Sequence, residues 1–109
     1  MAFHEGLAQR VREVLDHRHD VVEKRMFGGL AFMVRGHMTV GVNGEELMLR
    51  VGKDSYDNAL ARTGAREMDF TGRALKGFVY VSHDGHASDR DLQDWISLAL
   101  AHTESLPPK

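Results

Sequence analysis

Residues 30–51 hold three short apolar runs, Leu30–Val34, Met38–Val42 and Leu47–Val51, parted by Arg35-Gly36 and Asn43-Gly44. Nothing else in the chain restricts its fold as much. Runs of five residues with a period of two are strands, and gaps this short join only antiparallel neighbours. Asn-Gly between alternating apolar residues is a strong hairpin signal, because both turn positions of the favoured turn need positive φ. The alternation puts Leu30, Phe32, Val34, Met38, Val40, Val42, Leu47, Leu49 and Val51 on one face of a meander. That face needs a cover.

The cover comes from either side in sequence. Leu7, Val11, Val14 and Leu15 recur at helical spacing, which predicts an amphipathic helix over about residues 3–18. Near the C-terminus, Leu92, Trp95, Ile96, Ala99 and Leu100 form a second stripe, opened by Ser88 and Asp91 in a capping-box spacing and stopped by Pro107-Pro108. Between them, Asp54 is placed to cap a short helix to about Arg62. An extended piece near residues 66–70, a turn at 71–73 and a strand over 78–82 follow, with a further turn at Asp84-Gly85. The run 21–27 is apolar only in part and leads into Gly28-Gly29. The order is α-β(3)-α-β(2)-α, a two-layer α+β fold with helices packed on an antiparallel sheet, in one domain over residues 1–109.

Several function classes are disfavoured by composition. The chain lacks cysteine, so disulfides, thiolate nucleophiles and thiolate metal sites are out. Its net charge of −2 gives no general pull toward nucleic acid or acidic membranes. No run approaches the length of a membrane span, and the first residues lack a signal-peptide pattern, so the expected location is the cytoplasm.

The segments Lys24–Val34, Leu49-Arg50-Val51-Gly52, Met68–Arg73 and Lys76–Val81, in this order and spacing and closed by a Trp-containing helix, resemble the TfoX N-terminal domain family over roughly residues 4–106. The resemblance implies the same α-β(3)-α-β(2)-α arrangement and kinship with regulators of natural competence, in which a second domain follows. A stand-alone version of the domain is expected here. The resemblance supplies no catalytic residue, so the chain is not expected to be an enzyme.

Candidate binding residues fall in three groups. Arg25, Met26, Phe27, Gly28 and Gly29 read either as a recognition loop or as a bend whose glycines serve backbone geometry. On the second face of the meander, Met33, Met48 and Arg50 alternate out of phase with the core set, together with Ala31, Thr39 and Gly41. That face is either a partly apolar docking patch or is covered by the last helix; alternation gives phase and not what lies opposite. Arg50 and Arg73, with Arg25, Arg35, Arg66 and Lys76, suggest a modest basic patch in which Phe27, Phe70 or Phe78 supplies stacking; scattered charges compensated by nearby Glu and Asp are favoured.

His83 and His86 are weak metal candidates, two imidazoles flanking Asp84 in an expected polar loop, and no metal or other cofactor is expected. The leading expectation is a non-catalytic regulatory module acting through a protein partner or self-association. The alternatives are a nucleic-acid-associated transcriptional regulator and a small-molecule or metal-dependent activity at the His83/His86 loop.

Overall fold

Both hairpin turns of the meander form, with their roles exchanged. In a computed structural model that describes residues 4–26, 28–69 and 74–107, Arg35 and Gly36 both adopt positive φ, 55° and 86°. They join β2 (Gly29–Val34) to β3 (His37–Asn43), with Val34 opposite His37. This is the backbone that Asn43-Gly44 was expected to adopt. Left-handed φ is uncommon for arginine. Its backbone N–H donates to Asp20 O at 3.2 Å and its Nη1 to Glu104 O at 3.3 Å, which fix the turn. At the other turn Asn43 stays in the strand opposite Glu46, and Gly44 at φ 59° takes the first loop position before β4 (Glu46–Arg50).

Two further differences from the sequence reading matter. First, Val21–Met26 forms a strand, β1, antiparallel to β2 from Val21↔Val34 to Met26↔Gly29. The meander therefore has four strands rather than three. Second, Phe32 pairs with Val40 but Met33 pairs with Met38, so Thr39 is an additional residue in β3. The bulge turns Thr39 toward the helices, where its Oγ1 lies 3.2 Å from Thr103 Oγ1, and moves Met38 off the core face on which alternation had placed it.

After β4, helix α2 (Tyr56–Leu60) leads to β5 (Ala65–Asp69) and β6 (Ala74–Val81). Ser55, not Asp54, holds the N-cap position of α2, and its side chain makes no capping hydrogen bond. β6 inserts beside β4, giving one six-stranded antiparallel sheet in the order β1-β2-β3-β4-β6-β5. The expected turn at Asp84-Gly85 is a single helical turn, α3 (His83–His86), followed by α4 (Asp89–Glu104), which Ser88 caps by accepting from Asp91 N at 3.0 Å.

The α+β class and the two-layer packing stand. Helix α1 (Glu5–Leu15) supplies Leu7, Ala8, Val11 and Leu15, α2 supplies Tyr56 and Ala59, and α4 supplies Leu92, Trp95, Ile96 and Ala99. All of them join one cluster with Leu30, Phe32, Val40, Val42, Leu47, Leu49, Val79 and Val81. The last helix is thus on the core face, so it is not the cover of Met33 and Met48 on the second face. Among the described residues, no helix packs there.

Candidate functional site

The open face is built from side chains that alternate with the core set. One row across the sheet runs Lys24, Ala31, Gly41, Met48, Tyr80, Arg66, each opposite the next. A second contains Val22, Met33 and Met38. The two rows differ in depth. Val22 is 56% exposed, and Met33 and Met38 are half-buried. Met48, although on the same face, is fully buried. The cause is Gly41: a Cβ there would stand 2.5 Å from Met48 Cε and 3.4 Å from Met38 Cε, so the absent side chain leaves the space these methyl groups fill. Met48 therefore corrects the expectation of an accessible patch residue, since it is the floor of the patch and not its surface.

Toward β6 the face becomes aromatic and cationic. Arg66 lies over the Tyr80 ring at 4.5 Å and also bonds Glu46, Nε to Oε2 at 3.1 Å. Arg50 lies over the ring of its cross-strand neighbour Phe78 at 5.6 Å. The glutamates expected to compensate the arginines are partly turned away. Glu23 faces α1 and holds Arg12 through two hydrogen bonds of 2.8 and 2.9 Å, and Glu67 sits opposite the core residue Val79.

Arg25 is exposed on β1 opposite the core residue Leu30, on the other side of the sheet from Met33, and Met26 closes the strand. Gly28 turns the hairpin at φ 76°, while a Cβ on Gly29 would meet Val42 O at 2.3 Å. Both glycines thus serve the backbone. Phe27 and Arg73 lie outside the described residues. Val22, Met38 and Tyr80 are surface members that sequence reasoning missed. Val22 was recoverable from the alternation Val22, Lys24, Met26, but the charged run 23–25 obscured the strand.

His83 and His86 stand on α3 with ring centroids 5.6 Å apart and edge to face. His86 is buried, and its Nε2 lies 2.9 Å from Glu45 O, which assigns Nε2–H as donor and leaves Nδ1 without a partner among the described residues. Arg10 donates to the carbonyl of His86 at 3.0 Å. Among the described residues no three His, Asp or Glu side chains converge to hold a metal.

Burial holds the His86 pKa below its ordinary value, with Arg10 and His83 acting in the same direction. His102 is lowered by burial and then by Arg50. The unfolded chain takes up protons that the folded one refuses, so this stability is present above about pH 6.5 and declines as pH falls below it. The thermal midpoint should drop between pH 7 and pH 5. In His86→Gln the slope over that window should be shallower; an unchanged slope assigns the acid sensitivity to other groups.

No described helix is long and apolar enough to cross a membrane. A family model described as the TfoX N-terminal domain matches residues 13–103. Neither the search of curated proteins nor that of solved structures returned a match.

Proposed function

We propose that this chain, which belongs to the TfoX N-terminal domain family, works as a non-catalytic regulatory module that docks a protein partner on the open face of its sheet. The observation behind the reading is the one-sided cover: α1, α2 and α4 pack on the core face, and the opposite face carries exposed Val22 beside half-buried Met33 and Met38. Methionines suit such a surface because unbranched, polarizable side chains repack against different partners. A cytoplasmic setting and a role related to competence regulation accord with the family and belong to the same proposal.

Val22→Asp and Met33→Asp test it. Both positions are accessible, so a carboxylate there keeps its water and the fold should survive. Each change should reduce capture of the partner in affinity purification from host lysate at least tenfold, a loss of about 1.4 kcal/mol. Unchanged capture and unchanged light-scattering mass in both variants would remove the open face as the docking surface.

A further inference from the structure

The open face runs, at the end of β4, into a cleft of about 400 Å³ whose lining includes Arg50, Lys53, Asp54, Lys76, Phe78 and His102. We propose that this cleft binds a phosphate group, carried by a nucleotide-like small molecule or by the end of a nucleic-acid strand, with the adjoining ring system placed against Phe78. The proposal is independent of the protein contact at Val22 and Met33.

Charge is the first argument. Three permanent cations meet one carboxylate in the cleft, in a chain whose net charge is −2. Elsewhere the arginines Arg10, Arg12, Arg18 and Arg66 each hold a carboxylate. Among the described residues, Arg50, Lys53 and Lys76 hold none. Cations in excess of their counter-charge raise the local concentration of an anion.

The second argument is that the arginine is already in place. His37 is buried and its Nε2 lies 2.6 Å from Pro107 O, which makes Nε2–H the donor and leaves Nδ1 as an acceptor. Arg50 Nη1 stands 3.5 Å from that Nδ1. With the Phe78 ring centre 5.6 Å from the guanidinium, two neighbours orient the side chain and engage one of its five N–H groups, and among the described residues the rest of the fork has no hydrogen-bond partner.

The floor is rigid as well. The N–H groups of Val51 and Gly52 both donate to Gly77 O, at 2.8 and 3.0 Å. Gly52, at φ 85°, has no Cβ where one would stand 2.3 Å from His102 Nδ1, so the imidazole closes directly on backbone. The volume lies toward the small end of the range for small-molecule sites, and the aromatic wall beside a cationic end matches a phosphate joined to a flat ring.

The test is amide NMR of the full chain titrated at low salt with pyrophosphate, a mononucleotide and a 5′-phosphorylated hexanucleotide. Gly52, Lys53 and Gly77 should shift with all three probes. The double variant Lys53→Glu, Lys76→Glu, altered at two exposed positions, should keep its thermal midpoint and bind each probe at least tenfold more weakly. The hexanucleotide binding tighter than the mononucleotide would identify a strand end as the source; equal or weaker binding would identify a small molecule. Resonances unmoved by every probe at millimolar concentration, or shifts that persist in the double variant, would overturn the proposal.

Discussion

Met48→Asp should cost about 4 kcal/mol or more and leave little folded protein, whereas Met33→Asp, fifteen positions away on the same sheet face, should leave the fold intact. Alternation alone makes the two residues equivalent. The structure separates them by depth: Met48 is fully buried over the space vacated by Gly41, and Met33 is half-buried. Removing a buried methionine side chain costs about 2–5 kcal/mol, and placing a carboxylate in the same apolar space adds the penalty of an unpaired charge or of forced protonation. Domains of this size are stable by only about 5–15 kcal/mol, so the sum takes most of the margin. Met48→Leu, similar in volume, should lose less than about 1.5 kcal/mol. Urea denaturation followed by circular dichroism reads all three variants. If the Met48→Asp midpoint matched that of the unaltered chain, the residue would be accessible and the account of Gly41 wrong.

The elements legible in the sequence were those whose side-chain pattern also states what they pack against. Leu7, Val11 and Leu15 announce α1, the stripe from Leu92 to Ala99 announces α4, and the apolar runs announce the central strands. β1 was not counted as a strand because an edge strand can carry Glu23, Lys24 and Arg25, and those charges interrupt the apolar run while they guard the edge against further pairing. The bulge at Thr39 escaped for a different reason. It leaves no compositional mark, and its partner Thr103 is sixty-four residues away.

The same limit applied to the site. Phase can be read from alternation only where the register is regular: it grouped Met33 with Met48 and Arg50, but the bulge put Thr39 and Met38 on faces opposite to those alternation gave them. Depth cannot, because it depends on what a distant glycine leaves empty. The alignment of Arg50 by His37 and Pro107 joins three segments that no local pattern connects.

Trp95→Ala should be the most damaging change in the helical layer, lowering stability by about 3–5 kcal/mol, while Trp95→Phe should lose about 1–2 kcal/mol. Trp95 is buried in the common core, its Nε1 donates to Gly85 O at 3.1 Å, and the Arg62 guanidinium lies 5.0 Å from its ring centre. One side chain thus joins α4 to α3 and to the segment after α2. The contact has little slack, because a Cβ on Gly85 would lie 2.4 Å from Thr63 O, so the helical turn is already pressed against the loop before β5. Phenylalanine keeps most of the buried ring and gives up the hydrogen bond; alanine leaves a cavity where three elements meet. At about 4–8 °C per kcal/mol, thermal melts should separate the two variants clearly. Trp95 lies on the opposite side of the sheet from Val22 and Met33, so Trp95→Phe should still capture the partner below its own melting point. Loss of capture in a folded Trp95→Phe variant would mean that the helical layer, and not the open face, carries the interaction.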